Sequence, residues 1–319
     1  MNNITSKITS VGSYLPEKVL TNSDLAKFVD TSDEWVKSRT GIKKRHIVEN
    51  QLTSDLGYLA AKNAIDKINF NVLDIDAIIV ATTTPDRTFP STATIIQEKL
   101  GANNAFAFDI QAVCTGFVYA LDIANNFIKS GQYENILVIG AETLSKILDW
   151  KDRNSCVLFG DGAGAFILSK SNDESGILSS CLYSDGSLRE ILQTNGGVSL
   201  NQSAGKITMS GKEVFKHAVE KMSDSIIKSL EIANLTLEDV DYVVSHQANI
   251  RILKSVAKKL KLKDDQSIIA VDKHANTSAA SIPLALDDYL QNNELKKGDI
   301  IVMNALGAGL TWGSVVIRW

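Results

Sequence analysis

Phe106-Ala107-Phe108-Asp109-Ile110-Gln111-Ala112-Val113-Cys114-Thr115-Gly116-Phe117 is the stretch on which the reading of this 319-residue chain turns. Its first five residues read as a strand. From Gly116 to Lys129, apolar side chains at Phe117, Val118, Leu121, Phe127 and Ile128 predict a helix buried on more than one face. Cys114 thus falls where a strand has ended and a helix is about to begin. A thiol there feels the positive end of the helix dipole, which favours the thiolate. Gly116 allows backbone or substrate to come close. A lone cysteine is more often a buried structural residue than a nucleophile, so local context alone leaves both readings open.

Outward from this stretch, short β-branched runs alternate with longer segments of helical period, which is the α/β pattern. Strands are predicted at Ile78–Thr83, Ile136–Gly140 and Ala163–Leu168, with a helix over Thr92–Leu100. The second part repeats the plan. Helices are expected over Glu213–Leu230, Ile252–Leu262 and Pro283–Leu290, and strands at Tyr242–Ser245, Ser267–Val271, Ile300–Asn304 and Ser314–Ile317. Leu73-Asp74-Ile75-Asp76-Ala77-Ile78-Ile79-Val80 is echoed by Leu237-Glu238-Asp239-Val240-Asp241-Tyr242-Val243-Val244, and Gly160–Gly164 by Gly307–Gly309. Two echoes in the same order imply a duplicated half. The seam falls in the polar stretch Ser169–Ser175, giving an N-terminal half over residues 1–172 and a C-terminal half over 173–319.

Composition narrows the function. With 44% hydrophobic and 22% charged residues the chain can build a large core, and its length suits two core-forming units. A net charge of −4 argues against general nucleic-acid binding. Three cysteines (Cys114, Cys156 and Cys181) without CxxC spacing predict neither a disulfide framework nor a metal site, and favour the reducing cytoplasm. Met1–Ile8 has no apolar run of signal-peptide type, and no stretch approaches about eighteen uncharged apolar residues, so no membrane span is expected.

Two polar motifs join the cysteine. His246, one of four histidines, follows the strand Tyr242–Ser245 and precedes a helix. Open α/β sheets place ligands in the crevice at the carboxyl ends of their strands. Asn276, in His274-Ala275-Asn276-Thr277-Ser278-Ala279-Ala280-Ser281, also follows an apolar run, among small residues that suit close packing. By itself it could be a helix N-cap, with Thr277 and Ser278 as rivals.

These motifs resemble the β-ketoacyl-acyl-carrier-protein synthase III family of the thiolase superfamily. The likeness runs nearly end to end, through Gly12–Pro16, Thr31–Trp35, Arg39–Ile42, Phe159–Gly164, His246–Asn249, Asn276–Ser281 and Thr311–Ser314. It implies an α/β thiolase-like fold, with duplicated halves forming a five-layer αβαβα sandwich. It also implies a decarboxylative condensing enzyme that starts fatty-acid synthesis. Cys114 would take the acyl group of an acyl-CoA primer, with acetyl-CoA the expected one. His246 and Asn276 would hold the malonyl thioester oxygen of malonyl-acyl-carrier-protein as charge develops there. The backbone N–H groups of Cys114 and Ala308 would form the oxyanion hole. A thiolate both attacks and leaves well, which suits a shuttle of acyl groups. Asn276 separates this pattern from relatives with a second histidine, a second cysteine or a glutamate. No cofactor or metal is implied, since both thioesters are substrates.

The resemblance places Trp35, Arg39, Arg153, Gly211 and Asn249 along bound CoA. It places Phe89 (from a neighbouring subunit, hence a homodimer) and Leu306 around the acyl chain. The basic helix after His246 is expected to dock the acidic acyl carrier protein through Arg251, Lys258 and Lys259, with Lys216 and Gln247. Several positions depart from the family's habit. Asn154, Ala275 and Ala308 stand where Gly is frequent, and Leu306 and Leu310 where Phe is. A related enzyme that hands the acyl group to another nucleophile would carry the same three residues.

Overall fold

Nine strands in two sheets organise the chain, for which a computed structural model describes residues 4–319. In chain order they are β1 (Thr5–Tyr14), β2 (Ala77–Ala81), β3 (Phe106–Ile110), β4 (Asn135–Thr143), β5 (Asp161–Ser171), β6 (Gly176–Ser184), β7 (Tyr242–Ser245), β8 (Ile300–Gly307) and β9 (Thr311–Arg318). The first sheet has the order β1-β5-β4-β2-β3 and the second β6-β9-β8-β7. In each, a parallel pair (β2 with β4, β7 with β8) adjoins an antiparallel one (β4 with β5, β8 with β9).

Six helices cover the sheets, and a seventh, α1, packs on α6: α1 (Asp33–Thr40), α2 (Thr53–Lys67), α3 (Thr92–Leu100), α4 (Gly116–Lys129), α5 (Gly211–Ile232), α6 (Ile250–Leu260) and α7 (Ser281–Leu290). The central strands β2, β4 and β8 read as largely apolar runs because both of their faces are covered. Along β2, Ala77, Ile79 and Ala81 turn to a central core that contains Phe117 and Leu121 of α4 and Ile282 and Leu286 of α7. Met303 and Val315 of the second sheet close that core from the other side. Ile78 and Val80 turn outward to α2 and α3. Val302 and Val316 turn outward to α5 and α6. The layers are therefore helix, sheet, helix, sheet, helix, the thiolase-like α/β sandwich. Fully burying a side chain the size of Phe117, which meets Phe166 edge-on at 4.9 Å, contributes about 1.5–3 kcal/mol.

The echoed segments fold alike. Each begins with a 3-10 turn (Val72–Asp74, Leu237–Asp239) and enters a strand. In each, an aspartate stands just before that strand and binds the start of the parallel neighbour. Asp76 accepts from the backbone N–H of Asn135 at 2.9 Å, and Asp241 from that of Ile300 at 2.8 Å.

One expected strand is absent. Ser267–Val271 should pair beside β7, but Ser267 makes only a single bridge to Val243, and Val271 opens the short helix Val271–His274. The Gln247 side chain is the cause: its Oε1 accepts from the backbone N–H groups of Ala270 (2.8 Å) and Val271 (3.0 Å). Those donors are then lost to a ladder.

Candidate active site

The two central helices begin at the same place. Each is entered through a 3-10 turn, Val113–Thr115 before α4 and Ser278–Ala280 before α7, and the two turns pack on each other. The first residue of each has positive φ, 50° at Val113 and 49° at Ser278. A β-branched residue with φ above zero is uncommon, and such strain gathers at functional sites where the surroundings hold it in place. Cys114 is the second residue of the first turn. Asn276 lies two residues before the second turn, and its Oδ1 accepts from the backbone N–H of Ser278 at 2.9 Å. Because a backbone amide can only donate, the Asn276 oxygen is committed and its NH₂ is left as the donor.

The end of β8 closes the site from the second sheet. A Cβ on Gly307 would lie 2.7 Å from the Cys114 nitrogen and 3.0 Å from the Ala112 carbonyl oxygen. Thr311 fastens this turn to the cysteine turn. Its Oγ1 donates to the Ala112 carbonyl at 2.9 Å, and Thr115 Oγ1 donates to the Thr311 carbonyl at 3.0 Å. Ala308 lies between these anchors and is not among the residues of positive φ. An alanine is therefore accommodated there without a backbone penalty. Ala275 differs. At φ 60°, ψ −163° it occupies a region that is nearly the preserve of glycine.

His246 is buried at the carboxyl end of β7, and its backbone N–H donates to the Asn304 carbonyl at 2.7 Å. Its Nδ1 lies 2.7 Å from Ser281 Oγ, which also accepts from the Gln247 N–H at 3.2 Å. When the Ser281 hydroxyl gives its own proton to Nδ1, the imidazole proton sits on Nε2, the tautomer that a hydrogen-bond donor at this site requires. Burial lowers the imidazole to about 3, so His246 is neutral at physiological pH.

The cysteine departs from expectation. Burial pushes the Cys114 thiol up to about 12; nearby Glu142 adds to the rise, while the Ser278 hydroxyl opposes it. Desolvation outweighs the helix dipole, and the resting side chain is a neutral thiol. Glu142, at the end of β4, is itself wholly buried and raised by burial. It accepts from Thr83 N–H (3.1 Å), Thr83 Oγ1 (3.0 Å) and Thr84 Oγ1 (2.6 Å).

Away from the thiol, Arg39 and Arg153 each bring a guanidinium carbon 4.8 Å from the Trp35 ring centroid. Arg153 is steadied by donating to the Asp30 carbonyl at 2.8 Å. Gly211 begins α5 and is exposed. Asn249 caps α6, its Oδ1 accepting from Arg251 N–H and Ile252 N–H at 3.0 Å each, so its NH₂ remains. Leu306 is buried in the outer core of the second sheet, and Phe89 is 81% exposed. Arg251, Lys258, Lys259 and Lys216 are all exposed; Arg251 lies over the Phe215 ring, and Lys259 pairs with Asp224 at 2.9 Å. Gln247 does not belong with them. It is 1% exposed, and its amide also donates inward to the Ser245 carbonyl at 2.7 Å, so no part of the side chain can meet a docking partner.

Sequence reading missed the Ser281 hydroxyl that holds His246 and the buried carboxyl of Glu142. Ser281 is 35 residues from the histidine it orients, beyond any local signal. Glu142 had one: a carboxylate at the end of an otherwise apolar strand. Among the described residues no helix is long and apolar enough to cross a membrane, and no cluster of metal-binding side chains occurs.

A buried thiol in a turn that packs on the turn held by Asn276 at one end and followed by Ser281, the hydroxyl that holds His246, is the arrangement of an acyl-transferring enzyme of the thiolase-like class. The family model for 3-oxoacyl-[acyl-carrier-protein (ACP)] synthase III matches residues 108–186, and that for the C-terminal part of the same synthase matches residues 230–319. The chain is 58% identical to a beta-ketoacyl-(acyl-carrier-protein) synthase III of Ehrlichia canis, over 98% of this chain and 99% of that one. It is 55% identical to the corresponding protein of Wolbachia pipientis, with the same coverage. The crystal structure of a 3-oxoacyl-(acyl-carrier-protein) synthase III from Aquifex aeolicus superposes with a TM-score of 0.94 at 48% identity, covering 98% of this chain and all of that one. The chain belongs to the 3-oxoacyl-(acyl-carrier-protein) synthase III family.

Proposed function

We propose that this enzyme condenses an acyl-CoA primer, with acetyl-CoA first among them, with malonyl-acyl-carrier-protein through an acyl-Cys114 intermediate, and so initiates fatty-acid synthesis. The observation that carries this reading is the polarity of the two partners. His246 is neutral with its free nitrogen Nε2, and Asn276 offers only its NH₂. Two uncharged donors stabilise an enolate as carbon dioxide leaves, and neither is a base that would quench it.

Thiolate attack forms the C–S bond of the acyl-enzyme and expels CoA. The oxyanion of that step lies against the backbone N–H groups of Cys114 and Ala308, which the Gly307 approach and the Thr311 anchors hold in register. Decarboxylation of the malonyl group then leaves a carbanion that attacks the acyl carbon, and Cys114 departs as thiolate. On this reading residues 1–172 supply the nucleophile, while 173–319 supply both donors.

Trp35 with its two guanidiniums suits the adenine and phosphates of CoA. The Asn249 NH₂ and the open backbone at Gly211 suit the pantetheine arm. Arg251, Lys258 and Lys216, with the partly engaged Lys259, form the surface offered to the acidic carrier protein. A homodimer is supported by β3, which ends its sheet with an unpaired edge and carries Phe106 and Phe108 stacked at 6.2 Å. Phe89, so exposed in one subunit, would be covered by that assembly.

The test is direct. Protein incubated with acetyl-CoA and then malonyl-acyl-carrier-protein yields acetoacetyl-acyl-carrier-protein and carbon dioxide. An acyl-enzyme that persists with carrier present would favour a different acceptor.

A further inference from the structure

Arg45 is the bulkiest of the fully buried side chains among the described residues, and the condensation scheme leaves it without a task. It lies in a short two-stranded ribbon of Val19–Thr21 with Lys44–His46. Burial lowers its guanidinium to about 10, so it is charged at physiological pH. Its hydrogen-bond partners are all neutral. Nη1 donates to the Leu20 carbonyl at 3.2 Å and to Asn22 Oδ1 at 2.9 Å, and Nη2 donates to the Val157 carbonyl at 2.9 Å. Nε is buried with no partner. A buried cation without a counter-ion is costly, and apolar replacements of buried ionic groups are often neutral or stabilising. Stability alone does not account for this guanidinium.

The fork joins the two segments that bring guanidiniums to Trp35. Asn22, itself wholly buried, passes the contact on: its Nδ2 donates to Asp33 Oδ1 at 3.0 Å and to the Ile42 carbonyl at 2.8 Å. Those two acceptors bracket the length of α1, which carries Trp35 and Arg39. Val157 directly follows the short helix Arg153–Cys156, so Nη2 grips the segment that supplies Arg153. Val36, Ile42, Cys156 and Val157 share one apolar cluster, but apolar contact is not directional. A rigid, planar guanidinium is, and it fixes the Asn22 amide and the Val157 carbonyl relative to one another. The other tie between the segments, Arg153 Nη1 to the Asp30 carbonyl, is exposed to competing water, whereas the Arg45 fork is not.

We propose that Arg45 is the positioning residue of the nucleotide clamp, setting the distance between α1, with Trp35 and Arg39, and the segment that presents Arg153. The proposal rests on the reading of Trp35, Arg39 and Arg153 as contacts of the CoA nucleotide. Both guanidiniums reach 4.8 Å from the Trp35 ring centroid only while the two segments keep this spacing. Without the fork, the Arg153 segment drifts from the ring and the nucleotide loses part of its clamp. The thiol and its oxyanion amides are not part of this link.

The experiment compares two donors of one acetyl group: acetyl-CoA, and acetyl-pantetheine, which lacks the nucleotide. Single-turnover acylation of Cys114 is followed by mass spectrometry in the full-length wild type, Arg45→Met, Arg45→Lys and Trp35→Ala, so decarboxylation does not enter. With the positioning role, Arg45→Met raises the half-saturating concentration of acetyl-CoA about tenfold with little change in the limiting rate. The preference for acetyl-CoA over acetyl-pantetheine falls by the same factor. Arg45→Lys keeps the charge but not the fork, should lose the same preference, and carries the test alone if Arg45→Met does not fold. Equal losses with the two donors would show that Arg45 acts on the fold as a whole, and unchanged saturation by acetyl-CoA that the clamp does not depend on it. Either result overturns the proposal. Trp35→Ala checks the underlying reading separately: if its preference for acetyl-CoA is that of wild type, the clamp is misassigned and the proposal falls with it.

Discussion

The side chain that Gly307 lacks would stand 2.7 Å from the backbone nitrogen of Cys114. The strand that ends at Gly307 therefore presses on the amide to which the proposed mechanism gives the oxyanion. Its φ is not in the positive range, so close approach rather than conformational freedom accounts for the glycine. Gly307→Ala must push the two turns apart. Acylation of Cys114 by acetyl-CoA should fall by about 10²-fold, since displacements near 1 Å at a reacting centre cost that much. Single-turnover acylation followed by mass spectrometry measures it; an unaltered rate would remove the oxyanion role from this contact.

Ala275 makes the opposite case. Its backbone at φ 60°, ψ −163° costs on the order of 1–3 kcal/mol for a residue with a Cβ. Ala275→Gly relieves that strain against a smaller loss of chain entropy, for a net gain of about 1 kcal/mol. The melting temperature should rise by about 2 °C. Calorimetry decides the sign.

The cationic face of α6 is predicted to serve the second substrate alone. Lys258→Glu combined with Arg251→Glu should raise the KM for malonyl-acyl-carrier-protein about tenfold or more while sparing acylation by acetyl-CoA. Lys259→Glu should do less, because Asp224 already engages Lys259. Equal loss of both half-reactions would show that these charges act on the fold instead.

Acid stability carries the mark of the buried imidazoles. His246 and His274 are lowered by burial to about 3 and about 4. Each binds its proton in the unfolded chain near pH 6.5 but resists it in the folded one. Their contribution is thus complete above pH 6.5 and is lost as pH falls toward 4 and then 3, amounting to a few kcal/mol together. Denaturant unfolding from pH 7 to 4 should show stability falling, with a shallower slope in His274→Gln.

What the sequence made legible follows from how local each signal is. The helices Thr92–Leu100 and Gly116–Lys129 and the strands Phe106–Ile110 and Tyr242–Ser245 fall where the apolar period puts them, because packing on two faces writes itself into consecutive residues. The polar strands β1 and β6 escaped notice, since Thr5–Tyr14 and Gly176–Ser184 alternate with serines and glycines. Ser267–Val271 misled because its apolar run is real while its backbone donors are taken by Gln247, 20 or more residues away. The thiol's pKa could not be read from a helix start, since it depends on burial by segments remote in sequence.

The measurement that bears most directly on the central claim separates the two half-reactions in Asn276→Ala. Quench-flow mass spectrometry would follow acyl-Cys114 formation with acetyl-CoA and its consumption after malonyl-acyl-carrier-protein is added. The structure predicts that the variant is acylated at nearly the wild-type rate, and that the acyl group then persists because the enolate has lost a donor. Condensation at the wild-type rate, or loss of acylation alone, would contradict the assignment of Asn276 and His246 to decarboxylation.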